Sequence, residues 1–415
     1  MATILLAGRS DDPSLAPART NRLTGWAAAG AAVLLVAHKP WALTTPQLWA
    51  EDGSSHLAEV DALGAGAFFT PYRGYLHLLP RLIAWIASRT ADVAYWPAIY
   101  NTAALLVAVG LFARMASPRL NLPFKPWLVL AFVLAAHTGE VFLNITNLHW
   151  MTAFFLLQQV LMARPMTLAQ RLGDFSLILL IGLTGPFVVV FMPLFAWRWW
   201  RDPHADNLAV MTAAGACAVV QANFLLTAEP VLRDQSLPLH SGRLLTFVGS
   251  RLVAWPLFGP HAAIAWAQPV LGVLGCLSIG LFGIWVLRPH PRRLLRAQIL
   301  LAFGLFTILC LDRVRPDTWD FPDLQNGDSY FYIPRILLAW LAILEFDAAP
   351  KLAGWIARGL CLAGVLLNLP TFVAPAPPNY HWARYCDAIR RGVPAEIPTL
   401  PQGWIFHYHG RPPRP

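Results

Sequence analysis

Long apolar runs separated by short polar segments dominate this chain. A window of about 20 apolar residues is long enough to cross the hydrocarbon core of a bilayer as a helix. By this criterion the sequence predicts eleven membrane spans, near residues 22–39, 93–113, 126–143, 149–163, 170–184, 186–199, 207–226, 267–287, 296–312, 331–347 and 352–370. The pattern therefore predicts an all-α, polytopic membrane protein with no large soluble domain.

Two shorter apolar segments do not fit as full spans. Tyr75–Arg89 carries three basic side chains, and Leu244–Phe258 carries Arg251 together with Gly249 and Pro256. Amphipathic segments of this kind lie in the membrane surface rather than crossing it. We expect both to form interfacial helices on the outer face.

Composition and charge support a membrane protein and set its expected orientation. Of the 415 residues, 57% are hydrophobic and 13% are charged, about half the charged share of a soluble domain. The short basic segment 288–296 is typical of a cytoplasmic loop. An uncleaved first helix with a cytoplasmic N-terminus then places the C-terminus in the periplasm or outside the cell. The net charge of +9 indicates contact with anionic lipid rather than nucleic acid.

The predicted organisation is one transmembrane module followed by a tail. Residues 1–370 form the module, whose first outer loop covers residues 40–92, and residues 371–415 form a short, Pro-rich outer tail. Within the tail, 380–391 predicts a short helix with one apolar side. The alternating aromatic residues from Trp404 to Tyr408 predict a strand.

The most informative polar feature is a pair of adjacent carboxylates, Glu51 and Asp52, directly after the first predicted span. Charge at a membrane face is costly, so its presence there favours a functional role. Adjacent acids in a half-dry loop raise each other's proton affinity, as a general base requires. We predict that Asp52 is the base and Glu51 its partner. The alternative is that Asp52 caps the turn 54–63.

Further polar and aromatic residues could bind a substrate. They come from the first outer loop, from the turn between the third and fourth spans, and from the start of the tenth span. The predicted set is Tyr72, Arg73, Tyr75, His77, Arg81, Glu140, His149, Asp328, Tyr330 and Arg335. Arginine suits a phosphate because its guanidinium forms two parallel hydrogen bonds. These arginines could equally contact lipid headgroups, and the aromatic residues could equally belong to an interfacial belt.

This layout resembles that of the GT-C glycosyltransferases, polytopic membrane enzymes that use lipid-linked sugars. The similarity lies in a first helix, an outer loop that opens with the acidic pair 51–52, and an interfacial helix that follows 70–75. Leu183–Pro186 (LTGP) resembles the Thr-Lys-Gly-Pro turn of aminoarabinose and protein O-mannosyl transferases, but the lysine is missing here. The motif 327–335 (GDSYFYIPR) and the segment 397–404 are similar to parts of related bacterial membrane proteins.

The resemblance implies an inverting transfer of one sugar from a polyprenyl-phosphate donor. The acceptor would be a lipid-linked glycan or cell-envelope polymer on the outer face of the bacterial inner membrane. One carboxylate would take the proton of the acceptor hydroxyl, and basic side chains would hold the departing phosphate. A divalent cation such as Mg²⁺ or Mn²⁺ on Glu51 stays open, with no metal ligands assigned.

Three other classes of protein remain as alternatives. A transporter or flippase for a lipid-linked saccharide would carry paired repeats and polar groups near the middle of its spans, whereas the ionisable residues here gather at one face. An oligosaccharide polymerase or ligase would use the same carrier on the same side of the membrane. An assembly subunit with an inactive site would tolerate replacement of Asp52. The pattern favours an enzyme.

Overall fold

The computed structural model describes residues 17–228, 245–265, 269–313 and 327–410. These residues are mainly helical. The longer helices are Pro17–His38, Leu78–Thr90, Trp96–Arg114, Lys125–Leu134, Leu148–Leu161, Leu168–Gly182, Phe187–Arg201, Ala205–Thr227, Pro269–Val286, Arg293–Arg313, Asp328–Ile343, Lys351–Asn368 and Ala383–Arg391. Shorter helical segments are Trp41–Thr44, Asp52–Leu57, Ala58–Leu63, Gly64–Phe69, Val93–Tyr95, Val248–Ala254, Trp255–Phe258, Pro260–Ala265 and Leu369–Thr371.

Several helices have the length and composition of a membrane span, as expected for a membrane protein. Within the described ranges, five helical segments meet both criteria: Val93–Arg114, Ala205–Thr227, Pro269–Val286, Arg293–Leu311 and Lys351–Thr371. Each predicted span overlaps a helix, but several of these helices are short. The predicted number of eleven spans is therefore not confirmed.

The third predicted span, 126–143, is wrong as a continuous helix. The helix Lys125–Leu134 is only ten residues long, and Ala135 is already extended, with φ −65° and ψ 148°. Gly139 follows in the left-handed region, with φ +78°. The apolar residues beyond Leu134 are buried without helical structure, because the chain there bonds to other segments. A run of apolar residues records burial, and burial alone does not distinguish a helix from a packed turn.

The described chain divides into two compact units. Unit 1 combines residues 1–31, 113–138 and 237–371, and unit 2 combines residues 32–112, 139–236 and 372–415. The first loop and its acidic pair belong to unit 2. The segment that begins at Asp328 belongs to unit 1.

The tail residues of unit 2 fold against the start of the first loop. Strand β1 (Ala395–Thr399) pairs antiparallel with β2 (Trp404–Tyr408), which confirms the predicted strand and adds its partner. The backbone of Leu400 bonds to that of Leu48 at 2.9 Å. A Cβ on Gly53 would lie 2.6 Å from the Phe406 ring. Only glycine fits there, so the tail and the residue after the acidic pair are packed together.

In unit 1, the segment Leu245–Phe258 is helical, as predicted, and includes a wide π-helical turn, Val248–Ala254. Gly249 lies where an added Cβ would be 2.6 Å from the Gly272 Cα. Small residues allow helix backbones to approach this closely. The glycine that seemed to break a span therefore serves helix packing.

Candidate functional site

The acidic pair lies at the start of a π-helical turn in unit 2. Asp52 opens the turn Asp52–Leu57, which leads directly into the helix Ala58–Leu63. The Asp52 side chain is 0% exposed, whereas that of Glu51 is partly exposed. The two acids therefore have different surroundings although they are adjacent in sequence.

Asp52 accepts hydrogen bonds on both carboxylate oxygens. The Trp49 backbone N–H donates to Oδ2 at 3.0 Å. The Thr146 backbone N–H and hydroxyl donate to Oδ1 at 2.8 and 2.7 Å. Asp52 thus ties the first loop to the turn 144–147, and these bonds do not cap the turn 54–63 as the alternative held. Burial raises the pKa of Asp52 to about 7, the hydrogen bonds from Thr146 and Trp49 oppose this, and the charge of Glu51 adds to it.

Lys39 supplies a buried basic side chain in the same region. Its ammonium donates to the Phe142 carbonyl at 2.9 Å and lies 4.3 Å from the centre of the Trp49 ring. It interacts electrostatically with Glu140 and Asp52. In sequence, Lys39 is a basic residue at the end of an apolar run, which is usual for headgroup contact. Its nearness to Glu140 and Asp52 arises only from the fold.

Glu51 contacts the aromatic part of the first loop. The Tyr72 hydroxyl donates to Glu51 Oε1 at 3.0 Å. The Arg73 Nε–H donates to the Tyr72 hydroxyl oxygen at 3.2 Å. Tyr72 and Tyr75 face each other across a tight turn in which Gly74 has φ +86°. The predicted residues Glu51, Tyr72 and Arg73 are therefore linked in one chain of hydrogen bonds.

A cluster of imidazole and phenol rings surrounds His77. Its ring centre lies 4.6 Å from that of Tyr75, 5.5 Å from that of His149 and 5.6 Å from that of His56. Both ring nitrogens of His77 are buried. Burial lowers the pKa of His56 to about 3 and that of His77 well below its usual value. Both rings are thus neutral near pH 7, and His56 joins the predicted residues as an unforeseen member.

The turn that supports the family resemblance packs against this cluster. Gly185 donates its backbone N–H to the Leu76 carbonyl at 2.8 Å, and Leu78 donates to the Leu183 carbonyl at 3.0 Å. The Thr184 hydroxyl accepts from the Leu79 N–H at 2.9 Å. Because these bonds hold both sides of His77, the Leu183–Pro186 turn fixes where the imidazole stands.

Arg81 and Glu59 form an ion pair beside the cluster. Arg81 is fully buried, donates to the Ala67 carbonyl at 2.6 Å and pairs with the Glu59 carboxylate. Burial raises the pKa of Glu59, and the charge of Arg81 opposes that rise. The predicted phosphate ligand Arg81 therefore already has an anionic partner in this structure.

The predicted residues of the turn before Leu148–Leu161 also lie in unit 2. The Glu140 carbonyl accepts from the Asn144 side-chain amide at 2.8 Å. His149 contacts the Thr146 carbonyl through Nδ1 at 3.0 Å, and its ring stacks against Phe187 with centres 5.6 Å apart. The side-chain amides of Asn144 and Asn147 both donate to the Glu140 carbonyl and so hold the turn together locally.

The remaining predicted residues form a separate cluster in unit 1. Arg335 pairs with Asp328 at 2.6 Å, and Arg251 lies 3.9 Å from the same carboxylate oxygen. The Thr138 N–H donates to the other oxygen of Asp328 at 2.7 Å. Tyr330 is half-buried in the first turn of the same helix. Unit 2 thus brings together the predicted residues of the first loop with Glu140 and His149, and unit 1 holds Asp328, Tyr330 and Arg335.

No group of three or more His, Cys, Asp or Glu side chains within the described segments is arranged to hold a metal ion. The residues around Glu51 therefore do not form a recognisable divalent-cation site.

Comparison with known proteins found no matching family model, no matching curated protein and no matching solved structure.

Proposed function

We propose that this chain is a membrane glycosyltransferase whose reacting groups lie around Glu51 in unit 2. It would transfer a hexose or pentose from a polyprenyl-phosphate donor to a hydroxyl of a lipid-linked glycan or cell-envelope acceptor. The observation that carries the proposal is a partly exposed carboxylate, Glu51, next to a buried one, beside rings that are neutral and polar. A base next to rings that can form hydrogen bonds without carrying charge suits an inverting sugar transfer.

Glu51 is our proposed base. Its Oε1 accepts from Tyr72, which orients the carboxylate, and its side chain is accessible. Asp52, which the sequence alone favours, is buried and holds three hydrogen bonds from Thr146 and Trp49. An acceptor hydroxyl could reach Asp52 only if those bonds opened. Asp52 acts instead as a positioning residue that fixes the backbone next to Glu51.

The rings of the His77 cluster are proposed to line the sugar site. Neutral imidazoles donate or accept hydrogen bonds without adding charge, and phenol rings offer apolar faces together with a hydroxyl. The ring centres of His77, His149 and Tyr75 lie 4.6 to 6.1 Å apart. Such a lining suits a polyhydroxylated ring better than it suits an ion.

Arg73 is the proposed ligand of the departing phosphate. It is exposed, and its Nε–H donates a hydrogen bond to the Tyr72 hydroxyl oxygen. Since Arg81 is held by Glu59, we assign Arg81 to the support of the loop. In the reaction, Glu51 takes the acceptor proton, the acceptor oxygen bonds to the anomeric carbon, and the phosphate leaves with the bonding electrons.

The proposal places this chemistry at the outer face of a bacterial inner membrane. The first loop follows the first helix, and short basic segments such as 288–296 favour the cytoplasm. A lipid-linked donor would then reach the loop from the bilayer. Membrane lipid and the two lipid-linked substrates are the proposed partners, and nucleic acid is not.

The proposal is tested with purified protein in proteoliposomes. A panel of radiolabelled polyprenyl-phosphate hexoses and pentoses is supplied as donor, with a bacterial lipid extract as acceptor. We expect a labelled glycolipid with the wild type and with Glu396→Gln, a matched change on the exposed tail strand, and a loss of about 100-fold or more with Glu51→Gln. Donor that crosses the bilayer without a new covalent product, equally in all three proteins, would instead indicate a flippase.

A further inference from the structure

A dense group of basic side chains lies at one end of unit 1. Three candidate spans have ends there. Pro269–Val286 ends just before the basic residues 288–296, Arg293–Leu311 begins among them, and Lys351–Thr371 begins with a further lysine. The basic end, as we name it, consists of Arg288, Arg292, Arg293, Arg296, Lys351 and Arg358. All six lie in the described part of unit 1.

Two acidic residues hold part of the basic end in a fixed arrangement. Glu345 is buried and pairs with Arg288 at 2.6 Å and with Arg296 at 2.8 Å. Asp347 pairs with Arg292 at 2.7 Å. These pairs join the residues that follow the helix Asp328–Ile343 to the turn between the two spans before it. The basic surface is therefore a built structure and not a set of independent side chains.

The positive charge exceeds the negative charge at this end. Six cationic side chains face two carboxylates, which leaves a surplus of four positive charges. Arg293, Lys351 and Arg358 are exposed, and no ion pair within the described residues holds Arg293 or Lys351. A surplus of this size at one surface attracts an anion.

Apolar and aromatic side chains border the exposed cations. Leu352 is 67% exposed and Trp355 is 65% exposed, and the Arg358 guanidinium lies 5.0 Å from the centre of the Trp355 ring. A second tryptophan, Trp127, is also exposed and packs edge-on against Phe346. Tryptophans of this kind mark the headgroup level of a bilayer, with apolar surface on one side and charge on the other.

We propose that the basic end binds the phosphate headgroup of an anionic glycerophospholipid. Arg293, Lys351 and Arg358 would contact the phosphate, and Leu352 and Trp355 would contact the first part of the acyl chains. The ends of three candidate spans, the surplus charge and the adjoining aromatic residues all suit a lipid rather than a free ion. The site lies in unit 1 and does not depend on the sugar transfer proposed above.

Native mass spectrometry of the full chain, stripped of lipid in a neutral detergent, tests this proposal. The protein is titrated with phosphatidylglycerol or phosphatidylcholine of the same acyl chains. The triple variant Arg293→Gln, Lys351→Gln, Arg358→Gln is compared with a control that also loses three exposed cations, Arg89→Gln, Arg201→Gln, Arg384→Gln. Thermal unfolding in detergent alone shows whether each variant folds.

We expect the wild type and the control to bind phosphatidylglycerol more tightly than phosphatidylcholine. Each basic side chain near an anionic surface contributes roughly five-fold, so the triple variant should bind phosphatidylglycerol about 100-fold more weakly. Its affinity for phosphatidylcholine should fall much less, because the choline cation offsets the charge of that lipid's phosphate. Equal affinity of the wild type for both lipids, equal loss in both triple variants, or displacement of the lipid by millimolar inorganic phosphate would overturn the proposal.

Discussion

Replacing Asp52 with Asn should make the stability of this protein less dependent on pH. Asp52 is buried, and its pKa rises on folding from 3.8 to about 7. A carboxyl with a raised pKa contributes its full stability below the pKa of the unfolded chain. That contribution is lost as the pH increases through about 7, because the folded protein must then hold a desolvated charge.

The size of the effect follows from the shift. A difference of about 3 pH units corresponds to about 4 kcal/mol between pH 4 and pH 8. An Asn at this position keeps the oxygen that accepts from Thr146, but its amide group faces the Trp49 N–H. That mismatch lowers the stability of the variant by a similar amount at every pH. The informative quantity is therefore how the difference between variant and wild type changes with pH.

Thermal unfolding in a neutral detergent measures this quantity between pH 5 and pH 8. Between pH 5 and pH 8 about 2 of these 3 units are crossed, which corresponds to about 3 kcal/mol. At about 2 °C per kcal/mol, we expect the midpoint of the variant to gain about 5 °C relative to the wild type as the pH rises. Glu396→Gln, on an exposed strand, should show no such trend. A gap between Asp52→Asn and wild type that is the same at pH 5 and pH 8 would refute the reasoning.

Three further changes have expected outcomes. Tyr72→Phe removes the hydrogen bond to Glu51 and should lower the transfer rate about five-fold, since one such bond is worth about 1 kcal/mol. Gly53→Ala places a Cβ against the Phe406 ring and should cost about 1–3 kcal/mol, measured by thermal unfolding. Arg81→Met leaves the carboxylate opposite it unpaired and should destabilise the protein by about 3 kcal/mol in the same assay.

Each of these outcomes can be contradicted. An unchanged rate in Tyr72→Phe would mean that the hydroxyl does not orient the carboxylate. Gly53→Ala with wild-type stability would mean that the tail strands do not pack on the π-helical turn. If Arg81→Met lowered transfer without lowering stability, Arg81 would be a phosphate ligand rather than a support of the loop.

The helices and several contacts of the site could be predicted from the sequence because they depend on local pattern. Apolar runs identify helices whether the helix faces lipid or protein, so the positions of the predicted spans overlap helices throughout. The same signal cannot separate the two environments. The helix Leu148–Leu161 is buried along almost its whole length, whereas Pro269–Val286 is mostly exposed, and both read as apolar runs.

The roles within the site could not be predicted, because they depend on contacts between distant segments. Glu51 and Asp52 look equivalent in sequence, and only the turn that holds Thr146 makes one of them buried and hydrogen-bonded. His56 and Lys39 were missed for the same reason. His56, four residues after Asp52, shows no feature of its own in the sequence until His77 packs beside it.

The central claim is that Glu51 removes the proton of the acceptor hydroxyl while Asp52 positions it. The most direct test is the single-turnover rate of sugar transfer by Glu51→Gln and Asp52→Asn. The protein is in excess over the donor that the wild type uses, and both variants are first shown to be folded. The account predicts a rate about 1,000-fold lower for Glu51→Gln and a smaller loss for Asp52→Asn. A wild-type rate in Glu51→Gln, with transfer abolished in Asp52→Asn, would contradict it.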